Sequence, residues 1–110
     1  MNRQEQVAWA AGIFEGEGNC TWTSKEHNCQ EVMVKQNDTW LLEQLAQYFG
    51  GKVSPCGGTN ALSANLGNRW RLYGSEARQF LSTIYSLLSP RRKWQVARIG
   101  VFDDLQIGAS

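Results

Sequence analysis

Residues 8–18, Ala8-Trp9-Ala10-Ala11-Gly12-Ile13-Phe14-Glu15-Gly16-Glu17-Gly18, have the pattern of a helix that ends in two carboxylates. The C-terminus of a helix carries about half a negative charge, so Glu15 and Glu17 in the last turn cost stability that Lys or Arg would have supplied. We therefore expect a compensating group. A bound divalent cation is the natural choice, because a hard cation needs oxygen ligands and often takes only one or two carboxylates from the protein.

The same segment has one helix face that is almost without side chains, because Ala8, Gly12 and Gly16 recur at four-residue spacing. Small residues at this spacing let two helix backbones approach closely, an effect that is steric in origin. The face therefore predicts close packing. Its partner is either a second copy of the chain or the chain's own sheet.

The composition indicates a soluble, intracellular protein. The chain has 110 residues, enough for one domain with a core, and it contains neither a long apolar run nor a signal-peptide pattern, so we expect no membrane partner. Three cysteines, Cys20, Cys29 and Cys56, form no CxxC pair, which favours free thiols in a reducing compartment. The spacing of these thiols and His27 disfavours a zinc site.

Charge is distributed unevenly, although the net charge is only +1. Residues 1–50 hold three basic and seven acidic side chains, whereas residues 69–98 hold seven basic and one acidic. A basic stripe of this kind is expected where a protein contacts phosphates, and the alternative is a solvated surface face. The stripe consists of Arg69, Arg71, Arg78, Arg91, Arg92, Lys93 and Arg98.

Periodicity in the first half of the chain predicts a hairpin and a second helix after the first helix. The hairpin strands are expected at Asn19–Thr23 and Cys29–Lys35, joined by a polar turn. The second helix is expected to begin after a cap at Asn37 or Asp38 and to end at Gly50-Gly51.

The second half repeats this arrangement. Lys52–Ser54 begins another hairpin, a long surface loop follows at Pro55–Asn68, and Arg69–Tyr73 is the returning strand. A third helix begins at Gly74-Ser75, and a short last helix runs from Ser89-Pro90 through Val101. The order is αββαββα. The buried stripe of the third helix is predicted to be Ala77, Phe80, Leu81, Ile84, Leu87 and Leu88.

Residues 10–18, from Ala10 to Gly18, resemble the motif of the LAGLIDADG homing endonuclease family, with Ala10 in place of the usual leucine and Glu15 and Glu17 in place of aspartates. The resemblance implies an α/β (α+β) fold of the order αββαββα with a concave antiparallel β-saddle that lies along the major groove of DNA. It also implies one endonuclease domain over residues 1–110, with a core at about 5–102 and a short C-terminal tail. Further segments that resemble the single-motif enzymes are Val34–Asp38, Leu41-Leu42, Phe49–Gly51 and Arg91–Gln95.

The resemblance implies a site-specific, intron-encoded homing endonuclease of the cytoplasm of a bacterium or phage host, or of an organelle. Such an enzyme makes a double-strand break in a long, roughly palindromic DNA target by Mg²⁺-dependent phosphodiester hydrolysis, with Ca²⁺ or Mn²⁺ as substitutes and no other small-molecule cofactor. Because the motif occurs once and two strands must be cut, a homodimer is implied. The alternatives are a non-cleaving DNA- or RNA-binding relative, such as an intron maturase or regulator, and a protein-interaction domain that dimerises through its small-residue helix.

Site residues follow from the resemblance. Glu17, with the backbone carbonyl of Gly16, is expected to bind Mg²⁺, and Gln36 matches the position that orients water, although a base-reading side chain or a polar strand end are open alternatives. Lys93 is expected to stabilise the transition state, with Arg92 as the alternative because the basic run permits a register slip.

DNA contacts are expected from outward strand positions, and a slip of one residue would exchange the set. The dimer interface is expected at Ala8, Ala11, Gly12 and Glu15, and Trp9, Trp40 and Trp94 are expected to pack in the core or an interface. A single histidine, His27, argues against an HNH-type nuclease. The DNA-binding set is Asn19, Thr21, Thr23, Lys25, Gln30, Lys52, Ser54, Arg69, Arg71 and Arg91.

Overall fold

A computed structural model of the chain describes residues 1–56 and 67–102. The predicted order αββαββα is confirmed, with the last helix following the third. The remaining part of the predicted Pro55–Asn68 loop and the predicted C-terminal tail lie outside the described residues. The elements are α1 (Arg3–Glu17), β1 (Gly18–Ser24), β2 (Cys29–Gln36), α2 (Thr39–Phe49), β3 (Lys52–Pro55), β4 (Asn68–Tyr73), α3 (Gly74–Ile84), a 3₁₀ turn (Tyr85–Leu87) and α4 (Pro90–Arg98).

The four strands form one antiparallel sheet in the order β1-β2-β4-β3. The two hairpins meet where β2 pairs with β4, with Met33 opposite Arg71 and Lys35 opposite Arg69. On the far side of β4, Lys52 of β3 lies opposite Arg71. Opposite residues of antiparallel strands share a face, so this register puts the odd-numbered residues of β2 and β4 on one side together with the even-numbered residues of β3.

The core lies between the other face of the sheet and the helices. Val32, Val34, Trp70 and Leu72 supply the sheet side and are fully buried or nearly so. Phe80 of α3 is the aromatic centre, with its ring centroid 5.0 Å from Phe49, 5.2 Å from Trp70 and 6.4 Å from Phe14 in edge-to-face contacts. The Trp70 indole N–H donates to the carbonyl of Gly50 at 2.7 Å, so its buried polar atom is paired.

Helix α1 has a capping box at its start and a close glycine contact at its end. Asn2 and Glu5 exchange side-chain to backbone hydrogen bonds, which satisfies the first orphan N–H groups. Gly18 then takes an extended conformation and is buried against Phe14, where a Cβ would lie 2.8 Å from the Phe14 Cα. The helix therefore turns into β1 at a point where only glycine fits.

Two boundaries and two tryptophans differ from the sequence predictions. Helix α3 ends at Ile84, and the 3₁₀ turn that follows rotates Leu87 out of the stripe, so that it is 55% exposed while Leu88 stays buried. Helix α4 ends at Arg98 and not at Val101, because the chain reaches a left-handed conformation at Gly100. Trp40 and Trp94 were predicted to pack in the core or in an interface. Both are exposed in the single chain, so the core alternative is wrong for them.

Trp9 is half-buried and packs edge-to-face on Tyr48, with 6.1 Å between the ring centroids.

Within the described residues no helix is long and apolar enough to cross a membrane.

Candidate nucleic-acid interface and metal site

Glu17 and Gln36 lie together at one end of the molecule. Gly18 pairs with Val34, so the antiparallel β1–β2 hairpin brings the end of β2 beside the end of α1. The Gln36 Nε2 group donates a hydrogen bond to the carboxylate of the exposed Glu17. Because the Gln36 Oε1 atom accepts the Asn37 backbone N–H at 3.1 Å, the amide is oriented with its NH₂ group toward Glu17. Two residues separated by nineteen positions thus form one polar pair.

Glu15 has a different partner from Glu17. Its carboxylate accepts the Ser89 backbone N–H at 2.7 Å and the Ser89 hydroxyl at 2.9 Å. The Ser89 backbone bond, with smaller contributions from the Ser89 hydroxyl and the charges of Arg92 and Arg91, holds the pKa of Glu15 below its ordinary value despite the opposing effect of burial. Within the chain, the compensating group for Glu15 is therefore the positive N-terminus of α4.

Arg92 is buried between α1 and α4. Its Nε donates to the backbone carbonyl of Glu15 at 3.2 Å, its Nη1 donates to Gln95 at 2.9 Å, and its guanidinium lies 5.1 Å from the centre of the Phe14 ring. These contacts hold Arg92 within its own chain through Nε and Nη1. Lys93 is half-buried, with its ammonium 5.7 Å from the centre of the Tyr85 ring.

The face of the sheet that turns away from the helices carries most of the predicted DNA contacts. Asn19 and Thr21 are exposed on β1, and Asn19, Arg71 and Lys52 lie in one row across the sheet through Met33. The next row joins Lys35, Arg69 and Ser54. We name this surface the sheet face. It consists of Asn19, Thr21, Glu31, Met33, Lys35, Lys52, Ser54, Arg69, Arg71 and Tyr73.

Among the described residues, the sheet face carries four cations and one carboxylate. Arg71 lies 3.9 Å from the carboxylate of Glu31 and donates to the Tyr73 hydroxyl at 2.8 Å. The Arg69 Nε atom is buried and has no hydrogen-bond partner among the described residues, so a donor is left uncommitted there. Lys35 was missed by the sequence reasoning, although its alternation with the buried Val34 is a signal that places it on this face.

Gln30 is not on the sheet face, and its prediction as a base-reading residue is wrong. It shares the parity of Val32 and Val34 along β2 and is fully buried. Its Nε2 donates to the Ile99 carbonyl at 2.8 Å and to Asn28 at 2.7 Å, while its Oε1 accepts from Arg78 at 3.1 Å. Gln30 therefore joins the sheet to the helices.

The basic stripe is also divided by the fold. Arg78 donates to the Asn28 carbonyl at 2.7 Å as well as to Gln30, so it and Arg92 make contacts within the protein. Arg91 and Arg98 are exposed on α4, and the Arg98 guanidinium lies 4.8 Å from the centre of the Trp94 ring. Of the predicted basic stripe, Arg78 and Arg92 are thus engaged within the chain, whereas Arg91 and Arg98 are exposed.

Two further predicted contacts lie at the far end of β1. The register shifts between Trp22 and Ser24, and the Thr23 hydroxyl at this irregularity donates to the Cys29 carbonyl at 3.1 Å. Lys25 is exposed in the turn, with its ammonium 5.2 Å from the centre of the Trp22 ring.

The small-residue face of α1 points outward. Ala8, Gly12 and Gly16 are exposed, and a Cβ built on either glycine would meet nothing within 4 Å. Packing of this face against the chain's own sheet is therefore wrong. Ala11 is 3% exposed in the core, and Glu15 is bound to Ser89, so these two predicted interface residues are engaged within their own chain.

No cluster of three or more His, Cys, Asp or Glu side chains suited to a metal occurs in the described parts of the chain. Within one chain, Glu17 lies beside Gln36 at the end of β2.

Burial raises the pKa of the Cys20 thiol to about 11, against the weaker lowering effect of Arg92 and Arg98.

The described residues form a mixed α/β fold with four helices and a four-stranded antiparallel sheet. This is the fold of solved homing endonucleases. No protein-family model matches the chain, and no curated protein sequence is similar enough to count as a relative.

Two crystal structures of the homing endonuclease I-CvuI share the fold. In complex with its target in the presence of Ca, I-CvuI superposes with a TM-score of 0.63 at 18% identity, over 87% of this chain and 65% of the other. In complex with the I-CreI target in the presence of Mg, where the DNA is not cleaved, the TM-score is 0.62 at 20% identity, over 86% of this chain and 62% of the other. This chain thus spans less than two thirds of the I-CvuI chain length.

Proposed function

We propose that the protein is a metal-dependent, site-specific DNA endonuclease of the LAGLIDADG type that acts as a homodimer. The observation that carries this proposal is the exposed Glu17 carboxylate, oriented by Gln36 at the end of α1. Further support comes from the sheet face, whose cations complement a duplex backbone, and from the fold shared with I-CvuI, whose crystals contain its target DNA.

The donors near Glu17 suit a hard divalent cation. A carboxylate and a main-chain carbonyl at a helix end, that of Gly16, are oxygen ligands of the kind that Mg²⁺ takes, and Ca²⁺ or Mn²⁺ would fit the same donor set. When bound, Mg²⁺ would neutralise charge that develops on the scissile phosphate. Gln36 holds the Glu17 carboxylate and is available to orient an attacking water. Lys93 supplies positive charge beside the phosphate, and Arg92 does not take this role because it is buried.

The homodimer proposal rests on the outward small-residue face of α1. One chain offers one Glu17, and cutting both strands needs two such acids. Two α1 helices packed through Ala8, Gly12 and Gly16 would place two copies of the Glu17 end near one axis. A two-fold protein matches a roughly palindromic target.

Base recognition is assigned to the sheet face. Arg and Lys favour guanine, and Asn favours adenine, so Arg69, Arg71, Lys52 and Asn19 are the proposed readers, with Thr21 and Ser54 beside them. Lys35 joins this set from the observed register. Arg91, which is exposed on α4, is assigned to phosphate contact. We expect Arg71→Ala to relax base preference, whereas Arg91→Ala should weaken all sequences alike and reduce the salt dependence.

The experiment begins with selection of cleaved sites from a randomised DNA library in the presence of Mg²⁺. The selected duplex is then used to compare the unmodified chain, Glu17→Gln and the matched control Glu43→Gln, which changes another exposed glutamate on a helix. Binding to the same duplex is measured in Ca²⁺.

We expect Glu17→Gln to lose at least ~10³-fold in cleavage rate, because loss of a metal ligand removes several kcal/mol of charge stabilisation. Its DNA binding and folding should stay close to normal, and Glu43→Gln should resemble the unmodified chain. Near-normal cleavage by Glu17→Gln would refute the proposed site. Specific binding without cleavage by the unmodified chain would instead identify a non-cleaving DNA-binding protein.

A further inference from the structure

We infer that Glu15, Ser89 and Arg92 form a positioning clamp that holds the start of α4, and with it Lys93, against the end of α1 that carries Glu17. The inference rests on the proposed function for its catalytic consequence, but the clamp itself is a property of the fold. It assigns Glu15 and Arg92 to positioning, whereas their sequence positions suggested an interface acid and an active-site cation.

The clamp uses both ends of Glu15. The carboxylate accepts the Ser89 N–H and hydroxyl at 2.7 and 2.9 Å, and the main-chain carbonyl accepts the Arg92 Nε at 3.2 Å. That carbonyl belongs to the last turn of α1, where helix carbonyls lack partners within the helix. One residue of α1 therefore holds both the N-cap and the first turn of α4.

A second contact lies on the other side of Glu17. The Gln95 amide is 3.5 Å from the Asn19 side-chain oxygen, and Gln95 is also bonded to Arg92 at 2.9 Å. Glu17 lies between Glu15 and Asn19 in sequence, and Lys93 lies between Arg92 and Gln95. The two segments that carry Glu17 and Lys93 are thus linked on both sides of these residues, closely through Ser89 and more weakly through Gln95.

The clamp sets the position of the Lys93 charge, which acts by electrostatic stabilisation in the proposed site. Displacement of a positioned group by about 1 Å can cost ~10²-fold in rate. Loosening the clamp should therefore slow the cleavage step, because Lys93 would no longer be held beside the phosphate. The Mg²⁺ requirement should not change, because Glu15 is not among the proposed metal ligands. DNA binding should weaken no more than in Arg91→Ala, because Arg91 lies in the same first turn of α4.

The test compares Glu15→Gln, Ser89→Ala and the conservative Ser89→Thr. Each variant is also combined with Lys93→Ala. The measurements are the single-turnover cleavage rate, the Kd for the selected duplex in Ca²⁺ and the Mg²⁺ concentration for half-maximal rate. Gln30→Ala serves as a control, because it removes buried hydrogen bonds outside the clamp.

We expect Glu15→Gln and Ser89→Ala to reduce the cleavage rate at saturating duplex by ~10- to 100-fold, with the Mg²⁺ midpoint unchanged and a loss of affinity no larger than that of Arg91→Ala. Ser89→Thr keeps the hydroxyl and should retain most of the rate. In the Lys93→Ala background the clamp variants should cause no further loss, because they act through Lys93. A raised Mg²⁺ midpoint would make Glu15 a metal ligand, and additive losses would show that the clamp does not act through Lys93; either result overturns the inference.

Amide hydrogen exchange tests the clamp independently of activity. Glu15→Gln and Ser89→Ala should accelerate exchange at the Arg92 and Lys93 amides while leaving α2 unchanged. If the unmodified chain cleaves no DNA, the proposed function fails, but this measurement still decides the clamp. Unchanged exchange in α4 would overturn it.

Discussion

Replacement of Gly12 by Leu should separate the proposed dimer while stabilising the folded chain. Gly12 is exposed inside α1, and a Cβ there meets nothing within 4 Å of its own chain. Gly is about 0.8–1.0 kcal/mol worse than Ala in a helix interior and Leu is close to Ala, so the chain alone should gain roughly 0.5–1 kcal/mol. Between two closely packed helices the same leucine overfills the contact.

The cost at the interface is estimated from overpacking. Each inserted side chain costs about 1–3 kcal/mol, and a two-fold dimer contains two of them, so association should weaken by about 2–6 kcal/mol. At about 1.4 kcal/mol for each factor of ten, the dimer dissociation constant should rise by roughly 30-fold to 10⁴-fold. Folding stability and assembly therefore move in opposite directions.

Sedimentation equilibrium over a range of concentrations measures the dissociation constant, and urea unfolding at concentrations where both proteins are monomeric measures stability. The matched control is Gln47→Leu, which adds an exposed leucine to α2 outside the small-residue face. A Gly12→Leu protein that dimerises as tightly as the unmodified chain would refute the interface. Loss of folding would refute the conclusion that this face is open.

Three further predictions concern the core. Gln30→Ala should lower the free energy of unfolding, measured in urea, by about 1–3 kcal/mol, because it leaves the Ile99 carbonyl unpaired. Its DNA base preference should stay unchanged. An altered base preference at normal stability would show that Gln30 contacts DNA. Gly18→Ala should cost about 1–3 kcal/mol in the same assay, because its Cβ would lie 2.8 Å from the Phe14 Cα, and an unchanged midpoint would show that the helix end can shift. Cys20, whose pKa burial raises from 9.0 to about 11, should resist iodoacetamide at pH 8. Its raised pKa stabilises the fold below pH 9, and the stability relative to Cys20→Ala should fall as pH rises from 9 to 11; parallel pH profiles would contradict this.

The local elements could be predicted from the sequence because their causes are local. Apolar periodicity, the Asp38 cap and the Gly50 stop define α2, and alternation defines the strands. The same alternation placed Arg69 and Arg71 on an outward face. Errors arose where a neighbouring element changes the environment, as at Leu87, which a 3₁₀ turn exposes, and at Gln30, whose polar side chain is buried because α3 and Ile99 supply its partners.

The sequence by itself determined the order of helices and strands, the carboxylate end of α1 and its face without side chains. Tertiary structure alone decided what the two carboxylates do. Glu15 and Glu17 are two residues apart in the same helix end, yet one receives Ser89 from seventy-four positions away and the other receives Gln36 from nineteen. The physical reason is that local spacing sets where a side chain begins, whereas its charge is stabilised by donors that only the packing of α4 and the pairing of β1 with β2 bring within hydrogen-bond distance.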